Sequence, residues 1–100
     1  MAIPKILVVD DDMVAAELLS EVLVREGYAV RITTEGREAV KLGEKEFFDI
    51  VITDLKMPGF SGLEVLKAFS QTSPSSVVIV ITAFGSFDTA MDATSAPASV

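Results

Sequence analysis

Three short apolar runs constrain what this chain can fold into more than any other feature: Ile6-Leu7-Val8-Val9, Ile50-Val51-Ile52 and Val77-Val78-Ile79-Val80-Ile81. Each is rich in β-branched residues and uninterrupted by polar ones. A strand with one wet face alternates apolar and polar side chains, whereas a continuous run suits a strand covered on both faces, as in a parallel sheet. The last run is the most apolar and is expected to be the most buried. A further strand is expected where Tyr28, Val30 and Ile32 alternate with Ala29, Arg31 and Thr33, partly exposed. The third strand is expected to begin at Phe48, with Asp54 just past its end.

Between these strands the apolar spacing lengthens to three and four residues. Val14, Ala15, Leu18, Leu19, Val22 and Leu23 describe one face of a helix. Asp12 fits as its N-cap and Gly27 as the residue just past its end. Gly36 marks a turn before a weaker helix over residues 37–45, with Ala39, Val40 and Leu42 inward. Residues 57–62 carry turn chemistry, and Leu63, Leu66, Ala68 and Phe69 predict a third helix, stopped by the polar stretch 70–76. Residues 83–86 read as a loop and 87–93 as a fourth helix capped by Ser86. The stretch 94–100 has no period and reads as an irregular tail, which leaves residues 1–93 as one domain. Strands alternating with helices imply βαβ units, right-handed crossovers and an α/β fold with a parallel sheet.

Composition narrows the chemistry. Cysteine and histidine are absent, which removes thiolate sites, disulfides, and the commonest general base and zinc ligand. Carboxylates, hydroxyls, lysines and the backbone remain. Fifteen acidic residues against eight basic ones give a formal charge of −7, which argues against nucleic acid as a partner. No run approaches the roughly eighteen apolar residues of a membrane span, and residues 1–5 lead into the first strand without a leader peptide. A cytoplasmic protein with no membrane partner is the expectation.

The strand ends then become informative. Ligands of open parallel sheets bind outside the carboxyl ends of the strands, where strand order reverses. Here those ends supply Asp10, Asp11, Asp54 and Thr82. Clustered carboxylates repel unless a cation or protons relieve them. Mg²⁺ suits such a cluster because it takes oxygen ligands and keeps several waters, leaving positions open to phosphate oxygens. Asp54 at the mouth of the sheet is placed to act as a nucleophile towards a phosphoryl group, and Thr82 to hydrogen-bond a transferred phosphoryl oxygen. The plainer reading is that strand-end acids are caps or solvated loop residues, and for Asp12 capping is the reading kept. Met57 and Phe60 read as packing, Gly59 and Gly62 as turn residues.

Three ordered motifs carry a resemblance: residues 6–12, ending in Asp10-Asp11-Asp12; residues 54–62, Asp54-Leu55-Lys56-Met57-Pro58-Gly59-Phe60-Ser61-Gly62; and residues 81–86, Ile81-Thr82-Ala83-Phe84-Gly85-Ser86. Over residues 5–93 the chain resembles the receiver domain of two-component response regulators, and its third motif looks most like the nitrogen-regulator class. The resemblance implies a flavodoxin-like three-layer fold with strand order 2-1-3-4. It implies phosphorylation of Asp54 by a sensor histidine kinase, with catalysis limited to the domain's own phosphorylation and dephosphorylation. Mg²⁺ would be held by Asp11, Asp54 and the backbone carbonyl of Lys56, with Asp10 acting mainly through water, and Thr82 would be the switch hydroxyl.

The family pattern continues with a fifth strand, a lysine followed by proline, and a fifth helix, whereas this sequence has no lysine after Lys67. The expectation that follows is a receiver incomplete at its C-terminal side, with a phosphoryl site short of one cation and an apolar fourth-strand edge that drives homo-oligomerisation. An alternative is a switching-defective receiver that keeps the acidic pocket and acts through self-association alone. A Mg²⁺-dependent phosphatase with an aspartate nucleophile is a third, and the absence of a second acid at Leu55-Lys56-Met57 speaks against it.

Overall fold

The computed structural model describes residues 3–81. Seven elements follow one another: β1 (Lys5–Val9), α1 (Met13–Arg25), β2 (Ala29–Thr33), α2 (Gly36–Lys45), β3 (Ile50–Asp54), α3 (Gly62–Thr72) and β4 (Val77–Ile81). All strand pairs are parallel and the sheet order is β2-β1-β3-β4. The alternation expected from the sequence is therefore present. Thr82, the loop 83–86, the helix expected over 87–93 and the tail 94–100 lie outside the described residues.

The sheet separates two apolar layers. On one face Leu7, Val9 and Val51 pack with Ala39 and Leu42 of α2, Val65 and Phe69 of α3, and Phe48 and Met57 from the flanking loops. On the other, Ile6 and Val8 meet Ala16, Leu19 and Leu23 of α1. The strict two-residue period of a strand sends successive residues of β1 to opposite layers, so an unbroken apolar run feeds both.

Helix ends are set by local chemistry. Asp12 caps α1 as expected, its carboxylate accepting from the amides of Val14 (3.0 Å) and Ala15 (3.4 Å). Gly27, at φ 98°, stops α1 in the left-handed region that a side chain resists. Its amide donates to the Val24 carbonyl and that of Tyr28 to Leu23, the paired bonds of a Schellman closure. Ser61 and Glu64 form a reciprocal capping box that starts α3 at Gly62. Near the start of β1, Glu46 bridges Lys5 (2.6 Å) and Arg31 (2.7 Å). The hydrogen bond and charge of Lys5 hold the Glu46 carboxyl below its usual range, with Arg31 adding to the effect.

The structure corrects four points of the sequence reading. Residues 77–81 were expected to be the most buried strand, and that place belongs to β1, whose residues 6–9 are all buried. β1 has strands at both edges and helices over both faces. On the α1 face the helix covers β1 and β2 and stops short of β4, so Val77 and Ile81 remain 55% and 40% exposed. The apolar stripe of α1 is also wider than its contact: Leu19 and Leu23 reach the sheet, while Val14, Leu18 and Val22 face outward. In α3 the inward residues are Gly62, Val65 and Phe69, and Leu63 is exposed, because Gly62 is pressed against the backbone at the end of β3 and fixes the helix phase. Finally, Phe48 precedes β3 and serves as a core residue, and Asp54 is the last residue of that strand rather than the first after it.

Candidate functional site

At the carboxyl ends of the strands the chain leaves β1 into Asp10-Asp11-Asp12 and leaves β3 at Asp54. Because β1 and β3 are adjacent and parallel, with Val9 opposite Thr53, both exits open on the same edge. Asp10, Asp11 and Asp54 each offer a carboxylate oxygen, and these oxygens all lie within 4.8 Å of one another. Asp12 is not in this group; its carboxylate is engaged in capping α1. The cluster lines a depression of about 300 Å³ whose apolar wall includes Ala15, Leu19, Ile52 and Ile81.

Backbone bonds orient the acids. The Asp10 amide donates to the Thr33 carbonyl at 3.1 Å, and the Asp10 carboxylate accepts from the Asp12 amide at 2.9 Å. Burial raises the pKa of Asp54 first, and the charges of Asp10 and Asp11 raise it further, against the pull of the Lys56 and Leu55 amides. Asp10 is likewise raised, chiefly by burial and then by Asp11 and Asp12, with the Asp12 amide opposing. The negative charges of Asp10 and Asp54 are thus harder to hold than on an ordinary surface acid, which is the state a bound cation relieves. The donor set fits a hard divalent cation such as Mg²⁺: it is all oxygen, open to solvent at Asp11, and supplies too few ligands to complete a coordination shell without water. It offers no soft or imidazole ligand, which disfavours zinc.

Of the sequence-expected site residues, the fold brings Asp10, Asp11 and Asp54 together. Lys56 lies in the loop after β3, beside Asp11 in a second, shallower depression with Leu55, Met57, Pro58, Ser61 and Leu63. Two residues next to the site escape the sequence reading. Thr53 is fully buried, and its hydroxyl donates to the Asp54 carbonyl at 3.1 Å. Gly62, read from sequence as a turn residue, packs against the same peptide. A threonine at an inward strand position was the available signal, since a buried hydroxyl needs an acceptor.

Comparison with known proteins agrees with this geometry. The family model for the response regulator receiver domain matches residues 6–99. The transcriptional regulatory protein ZraR of Klebsiella oxytoca is 38% identical over 88 residues, which is 88% of this chain and 20% of that protein. The chain thus spans only a small part of that relative. Among solved structures, the response regulator TrrA of Thermotoga maritima, in complex with Mg²⁺ and BeF, superposes with a TM-score of 0.80 at 36% identity, covering 94% of this chain and 82% of that one. The beryllofluoride-activated receiver domain dimer of NtrC4 gives a TM-score of 0.79 at 40% identity, covering 91% and 75%. The order of the strands, the three carboxylates at their ends and these similarities agree: the chain belongs to the receiver domain family of two-component response regulators, and its relatives include NtrC-like regulators.

Proposed function

We propose that this domain accepts a phosphoryl group on Asp54 from the phosphohistidine of a sensor histidine kinase, in a Mg²⁺-dependent reaction in the cytoplasm. The observation that carries the reading is the convergence of the Asp10, Asp11 and Asp54 carboxylates at one sheet edge. A carboxylate oxygen of Asp54 attacks phosphorus, the phosphorus–nitrogen bond of the donor breaks, and the leaving imidazole takes up a proton. Asp11, Asp54 and the Lys56 carbonyl would hold the metal, with Asp10 acting through water. When bound, Mg²⁺ offsets charge on the phosphoryl oxygens and on the acidic cluster. Ala15, Leu19, Ile52 and Ile81 form an apolar wall beside the reacting carboxylate. Thr82, which follows Ile81 in the sequence, is the switch hydroxyl in this reading. The domain is a phosphoacceptor, not an enzyme acting on a separate substrate.

The test uses a small phosphodonor such as acetyl phosphate. With Mg²⁺, intact mass rises by one phosphoryl group, and peptide mapping places it on Asp54. With the metal chelated, incorporation falls by at least about a hundredfold, as expected for loss of a metal that stabilises transition-state charge. Incorporation that ignores chelation, or maps elsewhere, would sink the reading.

A second reading, self-association, has its own observation. Val14, Leu18 and Val22 on α1 and Val77 and Ile81 on β4 are large apolar side chains exposed on one side of the sheet. A related receiver forms a dimer in its beryllofluoride-activated state. In this reading two copies meet over the fourth-strand side. Sedimentation velocity across a hundredfold concentration range should then show a dimer, and Leu18→Glu should shift it to monomer; an unchanging monomer in the parent protein excludes it.

A further inference from the structure

Asp54 presents its carboxylate where the chain leaves β3, so its direction depends on how the Asp54–Leu55 peptide is held. Four contacts hold it and the peptide that follows. The Thr53 hydroxyl donates to the Asp54 carbonyl at 3.1 Å. The Leu55 amide donates to the Ile81 carbonyl at 2.8 Å, and the Leu55 carbonyl accepts from the Gly62 amide at 2.9 Å. The fourth is steric: Gly62 lies so close that a Cβ on it would collide with the Asp54 carbonyl oxygen and sit 2.9 Å from the Leu55 Cα.

Gly62 begins α3 without the positive φ found at Gly27 and Gly59, so its missing side chain, not its backbone freedom, is what the position requires. Thr53 is one of only two buried polar residues among those described, set on the α2–α3 face of the sheet next to Val51. Valine would fill the same space. The hydroxyl therefore serves the hydrogen bond rather than the packing.

We infer that Thr53 and Gly62 are positioning residues for the phosphoacceptor, clamping the Asp54–Leu55 peptide so that the Asp54 carboxylate meets those of Asp10 and Asp11. The inference rests on the reading of Asp54 as the phosphoacceptor. Partners one step behind a metal ligand typically affect affinity by about 10- to 100-fold.

The experiment compares the full chain with Thr53→Val, Thr53→Ser and Gly62→Ala. Two readouts are used: the Mg²⁺ titration midpoint, followed by amide NMR, and the Leu55 and Lys56 amide signals of the metal-free proteins. Thr53→Val should raise the Mg²⁺ midpoint about tenfold and shift both amide signals, while Thr53→Ser restores the parental midpoint to within about threefold. Gly62→Ala should act in the same direction and more strongly. If Gly62→Ala does not fold, the valine and serine pair decides. A folded Thr53→Val with the parental midpoint and unshifted amides overturns the inference and leaves the phosphoacceptor reading standing. A parent protein that shows no Mg²⁺ response overturns both.

Discussion

Asp54→Asn is expected to abolish phosphoryl uptake and, without metal at neutral pH, to make the protein more stable. The first effect follows from the role proposed for Asp54: an amide does not form the acyl phosphate, so the mass gain with acetyl phosphate should fall to background. The second follows from charge. The three carboxylates have oxygens within 4.8 Å of one another, and each like-charged pair at about 5 Å costs on the order of 1 kcal/mol even at a water-like dielectric. Removing one charge removes two such pairs and should therefore raise the urea midpoint, by about 1–2 kcal/mol in free energy.

The pH dependence has a defined sign. Asp10 and Asp54 have pKa values raised above the ordinary 3.8 by burial and by neighbouring charge. Their contribution to stability is fully present below 3.8 and is lost as pH rises through the raised values of the folded state. The advantage of Asp54→Asn should accordingly shrink in acid, as Asp10 and Asp54 take up protons in the folded state, and be complete at neutral pH. Saturating Mg²⁺ should reverse the order, because the parent protein gains the binding free energy of the metal by mass action. Urea unfolding at pH 7 with chelator, at pH 7 with Mg²⁺ and at pH 3.5 reads all three conditions. A variant less stable than the parent in chelator would show that the acids are not in mutual repulsion.

Phe69→Ala is expected to remove a large part of the stability of the domain. Phe69 is 1% exposed and sits in the cluster that joins α2 and α3 to the sheet. Its ring lies against Gly43 of α2 so closely that a Cβ on that glycine would come within 2.6 Å of it. The helices are thus seated on this ring, and a truncated side chain cannot be replaced by a small local shift. Loss of a buried phenylalanine costs about 3–5 kcal/mol, against a total of about 5–15 kcal/mol for an ordinary domain. With a urea m-value of about 1.5 kcal/mol per molar, the midpoint should fall by ~2–3 M. A fall below about 1 M would mean that the α2–α3 layer closes over the gap.

Much of the site is legible in the sequence. Asp10, Asp11 and Asp54 stand directly after or at the end of apolar runs, and in a parallel sheet such ends share one edge. That inference needs only the run boundaries and the βαβ alternation, both of which are local. The cap at Asp12 and the stop at Gly27 were legible for the same reason, each depending on residues close in sequence, whereas the strand order came only from the family resemblance.

What remained hidden involves choices made between elements. The α1 stripe contained six apolar residues, and only packing against β1 and β2 decided that Leu19 and Leu23 go in while Val14, Leu18 and Val22 stay out. The phase of α3 depended on the contact between Gly62 and the Asp54 carbonyl, which brings Val65 rather than Leu63 to the core. β4 looked the most buried because its residues are the most apolar, but burial is set by neighbours, and β1 holds the central place. The sequence by itself determined the α/β alternation and the meeting of three carboxylates, because periodicity and run ends are properties of a local stretch. The clamp of Thr53 and Gly62 on the Asp54–Leu55 peptide was decided only by the tertiary structure, because a close backbone approach between residues eight apart leaves no periodic trace.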